Sequence, residues 1–255
     1  MPSLRSVAVA VTAVAQVVSS PVTLLVLGPA ASTGTISDAN RSPVTPAGYA
    51  FTIWGLIYAA CLALAVYQLL PSQRDRTVHR RTGWWLAAAF TASTVWVPVF
   101  GTRTVWLSQL VILALVAFLA VAATRAARTG PAASTTEELL LRLPVTLYLG
   151  WATLASAANF GATFRSLGMP ARAPLVTAVS LVLLVLAGAV AIVVVARLTA
   201  VAGFALSACW ALVAVAVATD SGPVRAGALV VAALVLALLV ARSLRSRRPR
   251  AVLLG

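Results

Sequence analysis

The chain has 255 residues, 61% of them hydrophobic, and its mean hydropathy is +1.00. Soluble domains contain about 45–50% apolar residues, so this composition excludes an ordinary soluble domain. The net charge of +14 comes from 19 arginines against five acidic residues. The arginines are scattered between apolar runs instead of forming one basic patch, which argues against nucleic acid as a partner.

Eight long apolar runs follow one another, and every charged residue lies outside them. A charge at the centre of a bilayer costs at least about 2.5–3.5 kcal/mol, so this segregation predicts an all-α polytopic membrane protein. About eight spans of ~20 residues fit the chain length. The predicted transmembrane helices are Val7–Ala30, Ala47–Leu70, Trp84–Gly101, Val105–Thr124, Leu143–Phe164, Pro174–Ala196, Leu198–Thr219 and Ala226–Ala241.

The first run is longer than the roughly 7–15 apolar residues of a signal peptide core, so we interpret it as a helix, bent near Pro21. Residues Thr102–Thr104 are so few that the third and fourth runs must form a hairpin, with a kink at Pro98. The last run is short, and Arg225 and Arg242 at its ends are expected to extend to the membrane surface.

Charge placement decides whether the sixth and seventh runs, separated only by Arg197, are one span or two. With eight spans, 14 arginines fall on one side of the membrane and five on the other. The positive-inside rule then places both termini in the cytoplasm, whereas seven spans would put the arginine-rich tail outside. The five outer arginines are Arg41, Arg103, Arg165, Arg172 and Arg225.

The sequence shows none of the familiar arrangements of catalytic or metal-binding residues. The single histidine, His79, is predicted to lie in an arginine-rich loop, and no metal-ligand cluster or catalytic triad accompanies it. Glu137 and Glu138 are interpreted as the solvated start of a helix. Cys61 and Cys209 lie inside apolar runs, where free thiols behave as small buried hydrophobes. The sequence predicts neither an enzyme nor a metal or other cofactor.

Aromatic and amide side chains share one face of the fifth run. At about 100° per residue, Tyr148 and Asn159 differ by only about 20° around the helix, and Trp151 lies about 60° away. In the second run, Trp54 and Tyr58 are four residues apart and also share a face. Such faces could close on a flat aromatic ligand, or they could simply pack helices together and anchor them at the interface.

Three stretches of the chain form a recognisable set: Pro46–Phe51 with Trp54 and Tyr58, Trp96–Phe100, and Tyr148–Thr153 with Asn159. Together they resemble the TspO/MBR family, the tryptophan-rich sensory proteins related to the mitochondrial translocator protein. Their order and spacing match the family's second, third and fifth helices, although Ala47, Tyr49 and Ser93 depart from its usual residues, and the spacing from Phe51 to Trp54 is one residue shorter.

The resemblance covers residues 1–165 and implies a five-helix transmembrane bundle, followed at residues 166–255 by a three-helix extension with a basic tail. It implies a pocket for a tetrapyrrole or a lipid-like ligand, roofed by the first loop, Ala31–Thr45. It also implies contact with membrane lipids, homodimerisation, and residence in the inner membrane of a bacterial cell. The implied ligand-binding residues are Tyr49, Trp54, Tyr58, Trp96, Tyr148, Trp151 and Asn159.

Three functional hypotheses follow. The first is an intramembrane binding protein or transporter for a planar apolar ligand, with Asn159 donating to a carbonyl or propionate and a sensory role compatible with it. The second is a scaffold or regulatory protein whose aromatic faces only pack helices. The third is a membrane enzyme that degrades porphyrin, with the tryptophans relaying radicals.

Overall fold

A computed structural model describes residues 3–170 and 174–255, which form helices joined by turns. Arg172, one of the five predicted outer arginines, lies outside the described residues. A 3₁₀ turn at Gly48–Thr52 leads into α3, and a π-helical turn at Glu138–Arg142 leads into α7. The helices are α1 (Leu4–Leu27), α2 (Thr33–Ala39), α3 (Ile53–Leu69), α4 (Thr77–Gly101), α5 (Val105–Ala127), α6 (Thr135–Glu137), α7 (Leu143–Ser166), α8 (Pro174–Arg197), α9 (Ala202–Ala218), α10 (Gly222–Arg245) and α11 (Pro249–Leu253).

Within the described ranges, seven helical segments are long and apolar enough to cross a membrane, and α9 is a shorter apolar helix of 17 residues. The prediction of an all-α polytopic membrane protein is therefore confirmed. The sixth and seventh runs form two helices, because α8 ends at Arg197 and α9 begins at Ala202. Ala200 lies between them with a φ of 58°, in the left-handed region that suits a tight turn.

Five helices form a closed ring in which α1 packs on α3 and α4, α5 packs between α4 and α7, and α7 returns to α3. Helices α8 and α9 lie against this ring, chiefly through α9 on α7, and α10 packs on α8 and α9. The Ala47 N–H donates to the Ala214 carbonyl at 3.1 Å, and the Trp210 indole donates to the Ala50 carbonyl at 3.1 Å. The division after residue 165 remains a prediction about domains; the helices on its two sides share one hydrophobic core.

Helix α4 begins earlier than its apolar run. It starts at Thr77 instead of Trp84, because the residues before Trp84 already have a buried helical face. Val78, His79 and Thr82 lie on that face and are buried, while the arginines between them are exposed. The placement of His79 in a loop is therefore wrong: its side chain is 0% exposed, and its ring lies 5.4 Å from the ring of Tyr67.

Two arginines of α10 cap the carboxyl ends of neighbouring helices. The Arg225 guanidinium donates to the carbonyls of Ala216 at 3.1 Å and Thr219 at 2.7 Å, where α9 ends. At the other end of α10, Arg242 donates to two carbonyls where α8 ends. The last carbonyls of a helix lack partners within it, and lipid offers none. Because helix α10 itself runs for 24 residues, these arginines serve as caps and do not lengthen a short span.

The two glutamates before α7 are buried, so their interpretation as a solvated helix start is wrong. Glu137 is 2% exposed and pairs with Arg142 at 2.8 Å and with Arg76 at 3.5 Å. Glu138 is 6% exposed and accepts from Arg250 at 2.7 Å, which raises the pKa of that guanidinium above its usual value. The partners come from three separate segments, which these carboxylates hold together.

The loops on the predicted arginine-rich side lie together at one end of the bundle, which we call the basic end. It comprises the start of α1, residues 70–76, 128–142 and 198–201, and the tail from 246. The tail folds back onto it, with the Ala132 N–H donating to the Gly255 carbonyl at 2.6 Å and the Val201 N–H to the Val252 carbonyl at 3.1 Å. Its placement in the cytoplasm remains a prediction.

The close contact between α7 and α9 should depend on Gly203. A Cβ there would lie 2.6 Å from the Leu143 carbonyl oxygen and 2.8 Å from the Leu147 nitrogen. We expect Gly203→Ala to lower the free energy of unfolding by about 1–3 kcal/mol, since backbone must shift. The control Gly55→Ala, where a Cβ meets nothing within 4 Å, should be neutral or stabilising by up to about 1 kcal/mol. Thermal unfolding in detergent measures both, and equal effects would contradict the close approach.

Burial should separate two acidic residues that both pair with arginine. Glu137→Gln leaves the buried Arg142 guanidinium without its carboxylate, so we expect a loss of about 3–5 kcal/mol in stability. Asp38→Asn removes an exposed pair with Arg41 and should change stability by at most about 1 kcal/mol. Chemical unfolding in detergent micelles gives both values. Similar losses of stability in the two variants would mean that the buried Glu137–Arg142 pair contributes no more than the exposed Asp38–Arg41 pair.

Candidate ligand-binding pocket

Trp54 is the centre of a cluster of rings inside the five-helix ring. Its indole stacks on Trp96 at 5.7 Å between ring centroids and meets Trp151 edge-on at 6.0 Å. Tyr58 and Tyr148 lie 5.4 and 5.8 Å away. These residues come from α3, α4 and α7, so the predicted faces on the second and fifth runs do meet. Such offset and edge-on pairs are the arrangements that aromatic rings prefer.

A pocket lies on one side of this cluster, and we call it the aromatic pocket. Its wall on α7 includes three small residues, Ala155, Ala158 and Ala162. Residues of the first loop cover it, and two α9 residues, Ala211 and Val215, close its far side. The loop residues are Thr33, Ser37 and Val44, with Pro46 directly after the loop; the rings are Phe51, Trp54, Trp96, Phe100 and Trp151.

The aromatic pocket is nearly filled by its own side chains. Its volume is about 40 Å³ for the centres of water molecules, enough for roughly three waters, since one needs about 10–15 Å³ by this measure. Sites that enclose drug-sized ligands have volumes of about 300–1,000 Å³. In this conformation the rings pack against one another, and a large ligand can enter only if a wall moves.

Asn159 ties three helices together at the edge of the aromatic pocket. Its side-chain oxygen accepts from the Trp96 indole at 3.3 Å and lies 3.2 Å from the Ser108 hydroxyl, while its nitrogen donates to the Gln109 amide oxygen at 2.9 Å. Because an indole N–H can only donate, the atom facing Trp96 must be the amide oxygen. The Asn159 amide keeps at most one N–H for a ligand, which limits its expected role as a donor.

The indole N–H of Trp151 is buried without a hydrogen-bond partner among residues 3–170 and 174–255. Trp151 is 1% exposed and lines the aromatic pocket. Buried tryptophans usually find an acceptor for this donor, and leaving a buried donor unpaired costs about 1–3 kcal/mol. An acceptor supplied by a bound molecule would remove that penalty.

A group of polar side chains lies deeper in the bundle, beneath the rings. The Tyr148 hydroxyl donates to the Gln16 amide oxygen at 3.3 Å, and the Tyr58 hydroxyl lies 3.4 Å from that of Ser93. Gln16 is 0% exposed, and sequence reasoning missed it, as it missed Gln109. The only signal was an uncharged amide inside an apolar run, which in a bilayer needs a partner on another helix.

The structure brings most of the predicted site residues together. Trp54, Trp96, Trp151 and Asn159 line the aromatic pocket, whereas Tyr58 and Tyr148 lie behind the Trp54 ring, out of contact with the cavity. Tyr49 lies apart: it is 45% exposed and meets Trp210 of α9 edge-on at 5.3 Å.

The fold and this pocket define a class: polytopic all-α membrane proteins with an aromatic pocket between their helices. Over residues 5–242 the chain matches the family described as TSPO-like protein, and it belongs to that family. The match includes α8, α9 and nearly all of α10, so the three C-terminal helices fall within the matched region. No curated protein and no solved structure matches the chain.

The hydrogen bonds of Asn159 give a testable expectation. Asn159→Leu keeps the volume similar but leaves the Trp96 indole and the Gln109 amide unpaired, so stability should fall by about 1–3 kcal/mol. The control Ser156→Ala, on the same helix, removes only a bond to its own backbone and should change stability by less than about 0.5 kcal/mol. Thermal unfolding monitored by circular dichroism compares them; a neutral Asn159→Leu would contradict the structural role.

Proposed function

We infer that this TSPO-like membrane protein binds a planar apolar ligand in the aromatic pocket, and that a tetrapyrrole is the first candidate. The observation that carries the proposal is the unpaired, buried indole N–H of Trp151, a residue that lines this mainly apolar pocket. Flat rings provide stacking surfaces for a macrocycle, and the indole N–H provides one donor for a carbonyl or carboxylate. The choice of a tetrapyrrole as the candidate ligand rests on the resemblance to the TspO/MBR family.

Binding of a molecule of that size requires the aromatic pocket to open. The first loop is a wall of the pocket that is not a transmembrane helix, and it contributes Thr33, Ser37 and Val44. This roof is held to the helices by the hydrogen bond from Arg165 to the Arg41 carbonyl and by the burial of Ile36 and Val44, so it can move without breaking a transmembrane helix. We therefore expect the roof to lift away from Trp54 and Trp96 when a ligand enters.

A titration tests the proposal. Protoporphyrin IX added to the purified protein should quench tryptophan fluorescence saturably, and Trp151→Phe should raise the apparent Kd at least about tenfold, the value of one hydrogen bond to a charged group. The matched control Trp84→Phe changes a tryptophan that is 54% exposed and outside the pocket, and should bind like the wild type. Saturable binding with the same Kd in all three proteins would reject the assigned site.

A scaffold function is the second candidate, and the small volume of the aromatic pocket favours it. If the rings only pack helices, protoporphyrin IX cannot stabilise the wild-type protein. A ligand at about one hundred times its Kd adds about 2.7 kcal/mol to stability, which thermal unfolding with and without the porphyrin detects. Stabilisation that is lost in Trp151→Phe would exclude the scaffold function; no stabilisation would exclude the binding function for this ligand.

A further inference from the structure

An open groove runs between α5 and α8 near the basic end, at the opposite end of the bundle from the first loop. Its floor is Leu149 of α7, and its walls include Ala120 and Ala127 of α5 and Val193 of α8. The groove has a volume of about 500 Å³. The small residues on the α5 side keep it open, and its walls belong to helices whose outer faces are exposed: Val193 is 53% exposed. It therefore opens sideways to where lipid chains would lie.

Two arginines stand at the mouth of this groove. Arg128 follows the last residue of α5 and Arg197 is the last residue of α8, and both line the groove and are exposed. Neither forms an ion pair within residues 3–170 and 174–255. The carboxylates nearest to Arg128 in the chain, Glu137 and Glu138, are already paired with other arginines. The mouth of the groove thus has two positive charges without counter-charge.

Two buried donors behind the mouth also lack partners. Thr199 lines the groove and also a narrow cleft behind it that reaches Arg142. The Thr199 hydroxyl and Nη1 of Arg142 are buried, and neither has a hydrogen-bond partner in the described part of the chain. Arg142 is only 2% exposed. The cleft has a volume of about 10 Å³, close to what one water molecule or one oxygen atom of a ligand occupies.

We propose that this groove binds one anionic phospholipid, whose phosphate lies between Arg128, Arg197 and the Thr199 hydroxyl and whose acyl chain lies along Leu149. Guanidinium groups bind phosphate oxygens bidentately, and basic pockets between transmembrane helices suit anionic headgroups. A phosphate oxygen, or a water bound to it, supplies the acceptor that Arg142 lacks. The apolar length of the groove favours a lipid over a free anion.

Matched lipids and matched variants test this site. The delipidated protein in detergent is titrated with phosphatidylglycerol or with phosphatidylcholine of the same acyl chains, and native mass spectrometry counts the bound lipids. We expect one phosphatidylglycerol per chain, bound at least tenfold more tightly than phosphatidylcholine. The double variant Arg128→Gln/Arg197→Gln should lose at least tenfold in affinity. The control Arg247→Gln/Arg248→Gln removes the same charge from exposed positions in the tail and should bind as the wild type does.

Three results would overturn the proposal. Equal affinity for the two lipids would mean that the charge of the headgroup is not recognised. Equal losses in the two double variants would mean a general charge effect. Thermal protection by inorganic phosphate alone, matching that by phosphatidylglycerol, would assign the arginines to a free anion. If Arg128→Gln/Arg197→Gln loses its helical circular dichroism, a second variant, Ala120→Phe, tests the site, because it blocks the groove and keeps every charge. An unchanged lipid affinity in Ala120→Phe would reject the site, and a tenfold loss of affinity would support it.

Discussion

The interior of a bilayer offers no hydrogen-bond partner, and this constraint decides where most polar side chains of the bundle lie. Asn159 joins α4, α5 and α7 through its amide, and Gln16 pairs with Tyr148 across α1 and α7. Arg225 and Arg242 satisfy the carbonyls at the ends of α9 and α8. Each of these bonds connects different helices. The hydrogen bonds that satisfy the backbone carbonyls and the side-chain amides therefore also fix how the helices are aligned along one another.

Three of the buried donors whose demand is not met line cavities. Trp151 lines the aromatic pocket, and Thr199 and Arg142 line the cleft behind the groove between α5 and α8. A donor without an acceptor makes the empty state less stable, so a molecule with a suitable oxygen gains affinity from the bundle itself. The two cavities lie at opposite ends and differ in charge, one nearly neutral and one strongly positive, which separates the ligands that suit them.

The helices and their approximate ends follow from the apolar runs, and the meeting of Trp54, Trp96 and Trp151 follows from shared faces and family resemblance. The angle of a residue around a helix does not give its position along the helix axis, however. Tyr148 and Asn159 share a face, but eleven residues separate them by about 16 Å along the axis, so only Asn159 reaches the pocket. Nor could the sequence show that Glu137 pairs with Arg76 or that α9 closes the pocket, because these contacts depend on how distant segments pack.

Helix α9 has a consequence for the surrounding bilayer. Its 17 residues span about 25 Å, less than the ~30 Å of a typical hydrocarbon core. One stripe of it faces outward through Leu206, Trp210, Val213 and Val217, which are 41–63% exposed. Lipids touching that stripe must shorten to match it, because its ends are fixed by turns and by the Arg225 cap. This hydrophobic mismatch favours a locally thinned membrane beside α9 and would concentrate the protein in thinner bilayers.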